Sequence, residues 1–359
     1  GAARYVLLGE ASHGTSEFYT WRTAISKRLI QGKGFRFIAV EGDWDACYRL
    51  NRYVKNLPGS GDSAREVLMQ LERWPLWMWA NAEVVELAEW LRAWNDARPE
   101  GEKIGFYGID VYGLKDSIYR VVEYFRETAP DHLDVAETVR QCLEPYQGSH
   151  HHYAQALARG TANSCEPAIE ALLERLRAER AALQAKDPKA YFNAKQNAYA
   201  ILSAERHYRL QMSSDSDSWN ARARHFKGTV ERLMDYHGKG AKGIVWAHNT
   251  HIGNARATTM HHRGRHNIGQ LLLDRHGPKK VAAVGFGTHR GGVLAGRRWE
   301  APVERMTAPE AIAGSFEDLF YRAGVKQAFL LFDQAHRKGP LAQPRGHRAI
   351  GVVYHPERE

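Results

Sequence analysis

Glu10 and His13 stand three positions apart in Gly9-Glu10-Ala11-Ser12-His13, directly after the apolar run Tyr5-Val6-Leu7-Leu8. An imidazole beside a carboxylate is a pairing that acid–base chemistry uses. The ring exchanges a proton near neutrality, and the acid fixes its tautomer and raises its basicity. Three more apolar runs end in the same way, in Glu41-Gly42-Asp43, Gly108-Ile109-Asp110 and His248-Asn249-Thr250-His251. One Glu or His after a strand is commonly a cap or a solvated loop residue. A set of such segments points instead to a shared site, because burying charge that is neither paired nor employed is costly.

His13 is the candidate general base. Glu10, on the same turn, and Glu41, from the next strand, are placed to orient its ring or the water it activates. His248 and His251 meet on one face if a helical turn follows their strand, and they suit charge stabilisation or proton delivery to a leaving group. Arg22, nine residues beyond His13, could pair with Glu41 or bind an oxyanion; the plain alternative is a surface helix arginine. Asp110 ends another strand at the same edge and is a candidate substrate contact. Trp77, with Trp74 and Trp79 around Pro75, could line a pocket for a bulky ligand, although tryptophans near a helix end are also core residues. There is no Gly-x-Ser-x-Gly elbow, and Ser12 lacks the setting of a serine nucleophile, so a covalent serine route is not indicated. No phosphate-binding loop or dinucleotide fingerprint follows the first strand, so no nucleotide cofactor is expected.

The elements that must position these residues belong to an α/β fold: a mostly parallel central sheet flanked by helices, with a long helical insertion. Tyr5–Leu8, Phe37–Val40, Ile104–Tyr107, Gly243–Ala247 and Lys280–Val284 read as short buried strands, with Ala328–Leu331 and Ile350–Val353 as two further candidates. In an open parallel sheet all carboxyl ends share one edge, where ligands bind, so the polar segments should converge. Residues 1–113 are read as the first part of the α/β core, 114–233 as the helical insertion forming a lid or subdomain, and 234–359 as the second part of the core. Within the insertion Ile169, Leu172, Leu173 and Leu176 fall at helical spacing. The tracts His150-His151-His152 and His261-His262 read as solvated loop.

The chain has 359 residues, 43% apolar and 25% charged, the balance of an ordinary globular protein. Cys47, Cys142 and Cys165 lie far apart without C-x-x-C spacing, and the expectation is buried thiols rather than a disulfide or a thiolate metal site. The net charge of +9 favours anionic partners, yet the basic residues are scattered and no reading module accompanies them, so nucleic acid is not expected. No apolar stretch is long enough to span a membrane, and no signal peptide opens the sequence; a cytoplasmic location is the expectation. Nothing in the sequence fixes an oligomeric state.

The segments Gly9-Glu10-Ala11-Ser12-His13-Gly14-Thr15-Ser16-Glu17-Phe18, Val40-Glu41-Gly42-Asp43 and Trp246-Ala247-His248-Asn249-Thr250-His251 together resemble the erythromycin esterase family. The resemblance extends through Tyr107-Gly108-Ile109-Asp110, Trp219-Asn220-Ala221-Arg222-Ala223-Arg224-His225 and Gly253-Asn254-Ala255-Arg256. It implies hydrolysis of a macrolide lactone or other bulky ester, with His13 as general base toward water, no covalent intermediate and no cofactor. By the same carry-over Glu10, Arg22, Glu41, His248 and His251 are the remaining essential polar groups, and Arg224 is a substrate or oxyanion contact. The sequence departs from the family pattern at Ala223, where an acidic residue is usual, which counts against roles for Arg222 and Arg224. Two rival readings stay open. One is a metal-dependent hydrolase with Glu10, Glu41, His248 and His251 as ligands. The other is a non-catalytic protein that binds a polyketide or anionic ligand.

Overall fold

The computed structural model describes residues 2–146, 150–332, 336 and 338–359. Strands β1 (Tyr5–Leu8), β2 (Phe37–Asp43), β3 (Gly105–Asp110), β4 (Gly243–Trp246) and β5 (Val281–Val284) form one sheet in the order β3-β2-β4-β1-β5. Every neighbouring pair in it is parallel. Helix α1 (Ser16–Lys33) follows β1, and α2 (Trp44–Val54), α3 (Ala64–Met69) and α4 (Ala82–Asp96) follow β2. Between β3 and β4 run α5 (Leu114–Thr128), α6 (Leu133–Leu143), α7 (His150–Ala158), α8 (Glu166–Ala178), α9 (Arg180–Lys186), α10 (Pro188–Gln211) and α11 (Asp215–Tyr236). Helices α12 (Asn249–Ile252) and α13 (Ile268–His276) precede β5, and α14 (Phe316–Arg322) comes late in the chain.

In β1 to β4 the apolar runs are strands because helices cover both sheet faces, so successive side chains are buried on opposite sides; β5, at the sheet edge, buries only Val281 and leaves Ala282 and Ala283 exposed, so it is a strand but not the buried one expected. Val6, Leu8, Ile38, Val40, Phe106, Ile244 and Trp246 face a core completed by Ile30 of α1, Leu50 of α2 and Leu87 and Leu91 of α4. Tyr5, Leu7, Phe37, Ala39, Tyr107, Ile109 and Val245 face the other, completed by Phe226, Val230 and Leu233 of α11 and Ile268 and Leu272 of α13. Ile169, Leu172, Leu173 and Leu176 pack with Val121, Phe125 and Ile201 in a separate helical core. No helix among the described residues is long and apolar enough to cross a membrane.

Several expectations are corrected. Ala328–Leu331 is not a strand: it pairs with nothing in the sheet, and Phe329 and Leu331 are 78% and 72% exposed. Ile350–Val353 makes only the single bridges Ser12↔Ile350 and Gly296↔Val353. An antiparallel hairpin of β6 (Gly291–Gly296) and β7 (Val303–Ala308) was not foreseen, because the glycines of one strand and the charges of the other hide the period-two pattern. Cys142 and Cys165 form a disulfide, with Cα atoms 5.9 Å apart, that ties the end of α6 to the start of α8; only Cys47 is a buried free thiol. His150–Ala158 is helical rather than loop, with the side chains of His150 and His151 outside the described set. His261 and His262 are exposed, as expected, on a short 3-10 turn.

Candidate active site

The carboxyl ends of β1, β2, β3 and β4 deliver Glu10, Glu41, Asp110 and His248 to one edge of the sheet. His13, Glu41, Asp110, Arg222, His248 and His251 line a single cleft of about 500 Å³. Glu10 and Arg22 sit behind it. The loop carrying His13 is pinned by the hairpin and the C-terminal segment, through Leu294 N–H to the Gly14 carbonyl (2.9 Å) and Ile350 N–H to the Ala11 carbonyl (2.8 Å). A Cβ at Gly14 would lie 1.9 Å from the Leu294 carbonyl oxygen, so only glycine permits this approach.

Glu10 is buried and uses both oxygens. His13 Nδ1 lies 2.9 Å from Oε1, and Arg22 Nη2 lies 2.6 Å from Oε2. Arg22 is fully buried on α1, its guanidinium 4.6 Å from the Tyr19 ring centroid and 4.7 Å from that of Trp246. It therefore pairs with Glu10 rather than Glu41, and it is neither a surface arginine nor a residue that lines the cleft. Burial pushes the Glu10 carboxyl up, but Arg22 and His13 outweigh it and hold the group below its usual range. For His13 burial pushes downward, and the hydrogen bond and charge of Glu10, with Glu41 behind, raise the ring above its usual value. A carboxylate only accepts, so Nδ1 of His13 carries the hydrogen and Nε2 the lone pair.

Glu41 is the hub of a second network. Its Oε1 accepts from Arg222 Nη2 at 2.9 Å and lies 3.1 Å from His251 Nε2, and its Oε2 accepts from the His248 backbone N–H at 2.8 Å. Arg222 also grips Asp110 with two bonds, Nε to Oδ1 at 2.8 Å and Nη2 to Oδ2 at 2.6 Å. Its guanidinium lies 5.0 Å from the ring centroids of both Tyr112 and Phe226. Burial opposes ionisation of Glu41, yet His251 and Arg222 hold it well below the usual range; Arg222 does the same for Asp110. His251 stacks flat on Trp219, with centroids 4.7 Å apart and an interplanar angle of 5°.

His248 caps α12, its Nδ1 accepting from the Thr250 backbone N–H at 3.3 Å, which places the ring hydrogen on Nε2. That Nε2 is buried and has no hydrogen-bond partner among the described residues. Burial, then the neighbouring charge of His13, lowers the His248 pKa to about 4, so the ring is neutral at ordinary pH. Its centroid lies 5.0 Å from that of His13.

Two candidate contacts fall outside. Trp77 does not line the cleft and packs against the core of the α1 and α4 side, whereas Trp79 and Trp299 do line it. Arg224 is exposed on α11 and also lies off the cleft. Arg222, two residues earlier, is the functional candidate that sequence reasoning set aside. A signal for it exists: Arg222 lies on the same helical stripe as Phe226, Val230 and Leu233, where a charge must be paired. Among the described residues no group of three or more His, Cys, Asp or Glu is arranged to hold a metal ion. Both glutamates of the metal-dependent reading are already engaged by arginines.

In fold the chain is similar to several solved structures. A protein described as a succinoglycan biosynthesis protein matches with 23% identity and a TM-score of 0.76, over 98% of this chain and 83% of that one. A protein from Bacillus cereus matches with 22% identity and a TM-score of 0.70, over 89% and 74%. A mutant of the erythromycin esterase EreC, in its open conformation, matches with 18% identity and a TM-score of 0.68, over 90% and 80%. Residues 30–359 match the family described as erythromycin esterase, a stretch that holds Glu41, Asp110, Arg222, His248 and His251. The chain belongs to the erythromycin esterase family.

Proposed function

We propose that this ester hydrolase opens a bulky carboxylic ester, a macrolide lactone in the first instance, by direct attack of a water molecule that His13 deprotonates. Nε2 of His13 takes the proton as the water oxygen bonds to the carbonyl carbon, and the C=O electron pair moves onto oxygen. The oxyanion forms beside Nε2–H of His248, a neutral donor already desolvated and without a competing partner among the described residues. The intermediate collapses with cleavage of the C–O bond, and the His13 imidazolium returns its proton to the departing alkoxide. Glu10 holds the imidazolium, and Arg22 keeps Glu10 ionised and in place. Glu41, fixed by Arg222, seats His251 and the backbone of His248.

The observation that carries this reading is the pairing of His13 Nδ1 with a buried, arginine-held carboxylate at 2.9 Å while the ring lines a cleft opposite His248. Incubation with a panel of macrolides and simple esters, followed by mass spectrometry, tests it. A product one water heavier than a macrolide is expected, and His13→Ala, folded by circular dichroism, should form none. Turnover by that variant would remove His13 from the reaction.

A further inference from the structure

A second carboxylate–imidazole pair lies outside the cleft lining. Glu317 of α14 is buried, and its Oε1 stands 2.6 Å from Nδ1 of His347, in the segment that leads to Ile350. The same oxygen accepts from the Arg348 backbone N–H at 2.9 Å. The other ring nitrogen of His347, Nε2, lies 3.0 Å from Nδ2 of Asn249, the residue after His248. Asn249 Nδ2 also donates to the Phe286 carbonyl at 2.6 Å, and its Oδ1 accepts from the Phe286 backbone N–H at 3.3 Å. This two-point grip fixes which end of the amide is the donor. Nε2 of His347 therefore accepts, Nδ1 carries the hydrogen that Glu317 receives, and the ring is neutral in this arrangement.

Asn249 is the joint between three strand ends. Its backbone N–H donates to the Glu10 carbonyl at 2.9 Å, where β1 gives way to the loop of His13. It opens α12, which His248 caps. Its side chain holds Phe286, two residues past β5. A Cβ at Gly9 would lie 2.1 Å from Asn249 Oδ1, so the end of β1 is glycine where the amide presses on it. Anchoring α14 to the C-terminal segment does not require the imidazole, because Phe316 N–H to the Gly346 carbonyl (3.1 Å) and Arg348 N–H to Glu317 already tie the two. The second nitrogen of the ring is committed to the joint instead.

We propose that Glu317 and His347 are positioning residues for the ester-cleaving site: they hold the Asn249 amide and, through it, the placement of His248 relative to His13. The proposal rests on the hydrolytic reading of the cleft and adds to it two residues that touch neither the water nor the ester. Without the pair, Asn249 loses a partner, and the His248 donor next to it is no longer fixed where the oxyanion forms. The lining that receives the ester is unchanged, so the loss falls on kcat.

A double-mutant cycle with His248 tests it. In Glu317→Ala and in His347→Ala, each checked for folding by circular dichroism, kcat for an accepted ester should fall about 10- to 100-fold with KM within about twofold. Glu317→Gln keeps an acceptor for Nδ1–H and should retain most of the activity. In a His248→Ala background Glu317→Ala should lower kcat no further, since the group it positions is gone. An undiminished effect in that background, or an effect on KM alone, overturns the proposal. Imidazole ¹⁵N spectra of the protein without substrate give a readout that needs no turnover. The His248 signal, identified by its loss in His248→Ala, should move in Glu317→Ala, and a signal that stays in place overturns the proposal. A signal that moves in a protein that hydrolyses no ester would sink the hydrolytic reading and leave the link from Glu317 to His248 standing.

Discussion

His13 and His248 face each other with ring centroids 5.0 Å apart, yet their protonation is driven in opposite directions. Glu10 lifts the first ring above its usual value, while burial and the charge of the first ring lower the second to about 4. Two imidazoles this close cannot both be cations without mutual cost, and the flanking groups decide which one takes the proton. The division suits a base that becomes an acid and a donor that never titrates in the working range.

If His248 supplies a hydrogen bond to the oxyanion, its loss should fall on kcat. His248→Ala is expected to lower kcat by about 10²–10³ with a small change in KM, the pattern of a contact made in the transition state. Steady-state kinetics on any accepted ester decide it; a raised KM at constant kcat would assign His248 to ground-state binding.

Arg222 pairs with Glu41 and Asp110 together. Arg222→Met would leave two buried carboxylates facing one another without a cation, at a cost of about 3–5 kcal/mol. Urea unfolding should record that loss, with Arg222→Lys intermediate because the single ammonium cannot repeat the two-bond grip on Asp110. Arg224→Ala, on the exposed face, should be close to neutral, and equal effects at the two positions would contradict the placement.

The same carboxylates set the acid limit of the fold. Glu10 and Glu41 are held below 4.5, and Asp110 below 3.8. A lowered folded-state pKa contributes stability that is present above the unfolded value and is lost as pH falls through the folded one. The urea midpoint should therefore decline below about pH 4.5 for these groups, and a midpoint that held steady as they protonated would argue against their pairing.

Cys142 and Cys165 lie at the end of α6 and the start of α8, 23 positions apart. Thiol titration of the denatured, unreduced protein should find one thiol, Cys47. Cys142→Ser should cost about 3 kcal/mol by releasing that loop in the unfolded chain. Three titratable thiols would contradict the bond.

The edge that carries the candidate site was legible because parallel strands buried on both faces appear as unbroken apolar runs, and the polar residue that ends each run marks the sheet edge. Tyr5–Leu8 before Glu10 and Phe37–Val40 before Glu41 show it directly. What the runs cannot show is which partner a charge finds. Asp110 and Arg222 are 112 positions apart and meet only because α11 returns to the sheet. Trp77 lies within a short 3-10 turn and Trp79 caps its end, and of the two only Trp79 lines the cleft. Ala328–Leu331 has the composition of a strand but pairs with neither edge of the sheet, since strand formation depends on a neighbour as much as on propensity.

The pH dependence of kcat/KM in the unaltered enzyme tests the assignment of the base most directly, because the two histidines titrate on opposite sides of 6.5. Activity should fall toward acid in a single-proton limb with its midpoint above 6.5, as His13 becomes a cation and loses its lone pair. A limb with its midpoint near 4 would hand the proton transfer to His248 and contradict the mechanism.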